Sequence, residues 1–249
     1  MKTIVTILLV TFSLSSFADE NADKYKIAEK LYKEQLYDSA AVIYESMLKD
    51  DVVSPVLFYN TGNCYYKSGD AVSALLYYEK CLKYDPANED AKANIEFIRD
   101  KINNHVDAKR TGLSGWFYTV ANSKGNNYWT WMTILLINFA FISFIVLRFI
   151  KAQNLKNTVI ISGIIGLLLG CFTLFVAWFQ KDSMTAEDKA IIFATEAEIK
   201  SSPSENSTTV LILKAGAKVN ITGENENWVE ITVDYANKGW IMKEEIKPI

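Results

Sequence analysis

The chain has 249 residues and a net charge of −3, with 26 Lys and Arg against 29 Asp and Glu and no long basic stretch. Nucleic-acid binding, which needs clustered cations to displace counterions, is thereby disfavoured. Cys64, Cys81, Cys171 and the single His105 match neither metal-ligand nor disulfide-framework spacing, so no metal or cofactor is expected.

Taken from the N-terminus, residues 1–18 read as a secretory signal peptide. Lys2 supplies the basic start, Ile4 to Leu14 the apolar stretch, and Ser16-Phe17-Ala18 a small-x-small cleavage site. The competing reading is an uncleaved anchor. Asp19, not a cysteine, directly follows the cleavage site, so lipoprotein processing is not expected.

Residues 19–104 repeat internally. A shift of 34 residues aligns Tyr25 with Tyr59, Tyr32 with Tyr66, Ala40 with Ala74, Tyr44 with Tyr78 and Glu45 with Glu79. Apolar residues recur at three and four within each copy, which predicts paired amphipathic helices that cover each other's faces by stacking. A final helix, about 88–104, turns charged with Glu96, Arg99, Asp100 and Lys101 and is predicted to cap the stack. Cys64 and Cys81 fall on different helices of the second copy, and a disulfide between them stays open in an oxidising compartment.

The second copy, with Gly62, Tyr65, Gly69, Ala74, Tyr78 and Pro86, resembles the tetratricopeptide repeat. In the first copy Ala28 and Gln35 stand at the places of Gly62 and Gly69. The resemblance implies a concave groove lined by the first helix of each repeat. The candidate partner-binding residues are then Tyr25, Tyr32, Tyr59, Asn60, Asn63, Tyr66 and Lys67, with Glu29 and Lys33 beside them. Only Asn60 fits a carboxylate clamp, because Tyr25, Glu29 and Asp90 occupy other clamp positions. The groove is expected to take a helix or extended segment through aromatic contacts. The competing reading is that these tyrosines pack between repeats.

Residues 105–127 read as a linker, and two apolar stretches follow. No charge lies between Lys124 and Arg148 or between Lys156 and Lys181. Transmembrane helices are predicted at 128–150 and 158–180, each near the ~20 residues a bilayer requires. Tyr128, Trp129 and Trp131 open the first span and Trp178 closes the second, as interfacial aromatics do. Gly163, Gly166 and Gly170 give the second span a face for close packing against the first span or a partner. The connecting loop, 151–157, lies among Arg148, Lys151 and Lys156. The positive-inside rule makes it cytoplasmic and leaves both flanking segments outside.

Residues 186–249 shift to short alternating stretches separated by turn formers. Six strands are predicted, at about 190–193, 196–200, 208–213, 218–224, 228–233 and 238–242, as a small all-β barrel. Ala197-x-Ile199-x-Ser201-x-Pro203, Leu213-x-x-Gly216-x-x-Val219, Asn227-Trp228-Val229-x-Ile231 and Gly239-Trp240-Ile241 resemble bacterial SH3-like domains. Trp228 and Trp240 are the candidate binding face or, alternatively, core and rim packing. The acidic-aromatic motif of proline-binding SH3 domains is absent.

The order of parts resembles the E-type (BatE) membrane proteins of bacterial aerotolerance operons. That resemblance implies a multi-pass inner-membrane scaffold or adaptor in an envelope complex, with both soluble domains periplasmic. It also implies work beside von Willebrand A-domain membrane proteins and a MoxR-type AAA+ ATPase, in aerotolerance or stress resistance. A second reading is an envelope sensor that binds cell-wall peptide or glycan through the SH3-like domain. Catalysis is not expected, since no acid–base or nucleophile constellation stands out.

Overall fold

The computed structural model describes residues 20–49, 53–102, 112–125, 127–185, 188–233 and 237–249. The signal peptide expected at 1–18 lies outside the described residues, as does His105. The chain divides into two compact units. One holds the described residues of Met1–Leu82, Glu89–Asp107 and Asp188–Ile249; the other holds Lys83–Asn88 and those of Ala108–Glu187.

The first unit begins with two helical hairpins and a further helix. These are α1 (20–33), α2 (Tyr37–Lys49), α3 (Pro55–Ser68), α4 (Ala71–Tyr84) and α5 (Glu89–Lys101). The last two residues of α4, Lys83 and Tyr84, fall in the second unit. Ser54 caps α3, Pro55 sits at its first turn where a missing N–H costs nothing, and Gly69 ends it in the left-handed region at φ 97°. One repeat earlier, Gln35 makes the same turn at φ 62°, a conformation glycine adopts more easily. Ala28, Ala40 and Ala74 are fully buried. A Cβ added at Gly62 would stand 2.7 Å from Tyr78 Cε1, so glycine is what lets α3 and α4 meet there.

The C-terminal part of the same unit is a seven-stranded antiparallel sheet. Its strands are β1 (Lys189–Ile192), β2 (Glu196–Lys200), β3 (Thr209–Lys214), β4 (Lys218–Asn225), β5 (Trp228–Thr232), β6 (Lys238–Met242) and β7 (Ile246–Pro248). Their order is β3-β2-β6-β5-β4-β1-β7. A short 3₁₀ turn, Lys243–Glu245, feeds β7, a strand beyond the six expected. Inward residues Ala197, Ile199, Val219, Val229, Ile231 and Ile241 form the core, as alternation along half-buried strands requires. Gly239 is needed for close strand approach, because a Cβ there would lie 2.7 Å from the Lys200 carbonyl oxygen.

Helices and sheet share an interface. Leu76 of α4 packs with Ile191 and Ile249, and Val72 and Phe193 join at the margin. Beside them Glu79, only 5% exposed, accepts from Arg99 of α5 at 2.9 Å and from Lys218 of β4 at 2.5 Å. Burial alone would raise the Glu79 carboxyl, but the Lys218 and Arg99 charges overcome it and hold the carboxyl below its usual range.

The second unit corrects two boundaries. The expected linker at 105–127 contains a helix, α6 (Gly112–Ala121); Phe117 packs edge-on to Phe179 with ring centroids 5.0 Å apart. Gly112 and Gly115 are poor helix formers, but Trp116, Phe117 and Tyr118 give that helix an aromatic body. The two long apolar helices are α7 (Tyr128–Val146) and α8 (Gln153–Thr185). The second is 33 residues long and absorbs most of the loop expected at 151–157, while the first stops short of 150. Both are long and apolar enough to cross a membrane.

Small residues set their approach. Added Cβ atoms at Gly163, Gly166 and Gly170 would stand 3.2 Å from Ser143, 3.0 Å from Phe139 and 3.1 Å from Ile137. The Thr133 and Thr173 hydroxyls hydrogen-bond across the pair at 2.9 Å.

Candidate functional site

The groove residues expected on α1 and α3 fall into two sets. Tyr25, Tyr59, Asn60 and Asn63 are tied into the repeat framework. Tyr25 stacks edge-on to Tyr44 at 5.7 Å, and Tyr59 meets Tyr78 at the same distance one repeat later. Asn60 donates to the Tyr25 hydroxyl at 3.1 Å. Tyr78 donates to Asn63 Oδ1 at 2.7 Å. A buried phenol such as Tyr78 needs a partner of this kind, and the asparagines of α3 serve both tyrosines.

Tyr32, Tyr66 and Lys67 form the second set. Tyr32 packs edge-on to Tyr37 at 5.2 Å, and Lys67 is exposed at the last turn of α3. Tyr66 meets Phe97 of α5 edge-on at 6.1 Å, and Lys101 lies 6.0 Å from the Tyr66 ring centre. Together Tyr66, Asn94 and Phe97 line a hollow of about 230 Å³. Phe97 is 57% exposed, so α5 does not turn a purely polar side outward. Phe97 of this hollow was not among the residues expected from the sequence. The available signal was a large aromatic placed between Glu96 and Arg99 on a helix read as a polar cap.

On the sheet, Trp228 and Trp240 are half-buried, and they stand out of register across β5 and β6, each paired with a different residue. Trp228 pairs with Met242, and both line a second hollow of about 270 Å³ with Glu196, Glu198, Lys200, Glu205 and Glu245. Trp240 stands opposite Glu230 and Lys200 and does not line it.

Neither hollow carries a nucleophile with a base. Cys64 is fully buried; burial, with the Asp38 charge adding, pushes its thiol up to about 12, which disfavours the reactive thiolate. Among the described residues no group of three His, Cys, Asp or Glu side chains is placed to hold a metal ion. An exposed aromatic surface on a hydrogen-bonded helical frame is suited to seating another chain.

The comparisons with known proteins agree with the helical part. The tetratricopeptide repeat family model matches residues 55–88, the span of α3 and α4. A relative from Guillardia theta, described as uncharacterized protein ycf37, is 33% identical over 108 residues. That alignment covers 41% of this chain and 61% of the relative, so the chain spans less than two thirds of the relative's length. A tetratricopeptide repeat is a protein-interaction module, and the chain carries one.

Proposed function

We propose that this chain is a membrane-anchored scaffold whose helical repeats dock a partner protein on the α3–α5 surface around Tyr66 and Phe97. The carrying observation is the exposed aromatic hollow of Tyr66, Asn94 and Phe97, built on helices whose other tyrosines are tied into the frame. A rigid frame lowers the entropic cost of binding at the aromatics it presents. Helices α7 and α8 are the anchor. Segments before and after them share the Leu76–Ile191–Ile249 interface, which supports a reading with two crossings between them. In this reading the Arg148, Lys151 and Lys156 end is cytoplasmic by the positive-inside rule, and helices and sheet share the exported side.

Within this reading the sheet is a bacterial SH3-like domain, and the setting is a bacterial envelope complex of the aerotolerance type. Partners of the von Willebrand A-domain and MoxR-type AAA+ class follow from that resemblance. The test is recovery of partner proteins from solubilised membranes. Tyr66→Ala with Phe97→Ala is expected to reduce recovery at least tenfold, with helical circular dichroism and membrane insertion retained. Lys92→Ala, elsewhere on α5, is expected to leave it unchanged. Undiminished recovery from the folded double variant overturns the proposal.

The Trp228 hollow favours a second reading, in which the sheet holds cell-wall peptide or glycan. Retention of the protein on purified sacculi, abolished by Trp228→Ala, would establish it.

A further inference from the structure

Within the second unit, Lys83 and Tyr84 join the ends of α7 and α8 around a cavity of about 730 Å³. That size lies in the range of small-molecule pockets. Its lining is divided. Lys83, Lys181, Asn127 and Thr130 give it cations and hydrogen-bonding groups, while Leu174 and Trp178 give it an apolar wall.

The division follows the helix axis. Leu174 precedes Lys181 by seven residues, about 10 Å along α8 at 1.5 Å per residue. Asn127 caps the start of α7, and Thr130 lies one turn in. The cationic and most polar groups therefore gather at the helix ends, with Met184 among them, and the apolar wall continues down a helix apolar enough to span a membrane. Trp178, 60% exposed, stands between the two zones, the depth at which tryptophan favours an interface.

We infer that this cavity binds the headgroup and upper acyl chain of an anionic phospholipid, with Lys83 and Lys181 facing the phosphate and Leu174 and Trp178 the chain. Two ammonium groups complement a phosphodiester's charge, and the continuity with α8 selects a lipid over a soluble anion. The inference rests on the reading of α7 and α8 as membrane spans. Carbonate extraction of membranes tests that reading separately, because release of the protein would remove the anchor whatever the cavity binds.

The direct test is native mass spectrometry of the full-length protein in neutral detergent, with phosphatidylglycerol or phosphatidylcholine added. The wild type is expected to retain phosphatidylglycerol at least tenfold better. Lys83→Gln with Lys181→Gln should remove the preference, whereas Lys151→Ala at the opposite helix ends should keep it. Should the double variant not fold, Leu174→Trp, which fills the apolar wall with both lysines intact, is expected to cut retention in the same way. Equal retention of both lipids, an unchanged preference in a folded cavity variant, an equal loss in Lys151→Ala, or displacement by millimolar inorganic phosphate would each overturn the site.

Discussion

Glu45 and Glu79 occupy the same place in successive repeats but are satisfied by different chemistry. Glu45 accepts from the Tyr65 hydroxyl at 2.5 Å and the Tyr77 hydroxyl at 2.7 Å, and the two rings stack with centroids 5.5 Å apart. Glu79 accepts from Arg99, which stands where the repeat register places Tyr65, and from Lys218 of the sheet. Where one helical hairpin meets the next, neutral phenols suffice. Where the last hairpin meets a sheet, two cations take their place. The sheet thus supplies, with α5, the partners that the following hairpin supplies to Glu45, and it covers part of the face of α4.

The difference is one of energetic stakes. A buried carboxylate between two cations is costly to desolvate, and losing one member leaves charges uncompensated. Glu79→Ala is therefore expected to have the largest effect, about 3–5 kcal/mol in chemical denaturation. Replacing the set with apolar residues, Glu79→Leu with Arg99→Met and Lys218→Met, should recover most of that loss. If the triple variant proves as unstable as the single one, stranded charge is not the cause.

The two nodes should also respond to opposite ends of the pH scale. The Glu79 carboxyl is held below its usual range in the folded state, so its stabilisation is present above the ordinary carboxylate pKa. It is lost as pH falls through the depressed value, and a denaturation series from pH 6 downward should show that loss diminished in Glu79→Gln. Burial, with the Glu45 hydrogen bond and charge adding, raises the Tyr65 and Tyr77 phenols. Their contribution is complete below the ordinary phenol value near ~10 and declines as pH rises beyond it. Phenylalanine at both positions should reduce the alkaline limb, the raised Tyr32, Tyr44 and Tyr78 phenols keeping the rest, while leaving the acid limb alone.

Smaller effects come from the Glu45 node itself. Glu45→Leu removes the acceptor of two phenols and is expected to cost about 1.5–3 kcal/mol, the scale of hydrogen bonds to a charged group. Tyr65→Phe deletes one hydroxyl and keeps the stacked ring, so about 1 kcal/mol is expected by the same denaturation measurement. A Tyr65→Phe cost equal to that of Glu79→Ala would erase the distinction between the nodes.

How much of this could be read beforehand depended on how local each signal was. The shift aligning Tyr44 with Tyr78 located both hairpins, and Gly62, Gly69 and Ala74 had the roles their sizes implied. The glycine stripe of the second apolar helix faces the first, as its spacing indicated. Helix α6 was misread because Gly112 and Gly115 are poor helix formers, and packing against α8 outweighs them. Strand β7 was missed because it is three residues long and ends in Pro248, too brief for alternation to register. Of the residues named for the groove, Tyr66 lines the hollow, whereas Asn60 and Asn63 have local hydrogen-bonding duties; Phe97 of that hollow sits in a helix read as a charged cap. The Glu79–Lys218 contact joins residues 139 apart, and no periodicity reaches that far.

The claim that the sheet supplies partners to the last hairpin is tested most directly by hydrogen exchange on the full-length protein, comparing wild type with Glu79→Ala. Faster exchange is expected together in α4 and α5 and in β1, β4 and β7, because removing one carboxylate loosens both sides of a shared interface. Acceleration confined to the helices, with β1, β4 and β7 protected as in the wild type, would show that the sheet stands independently and contradict the account.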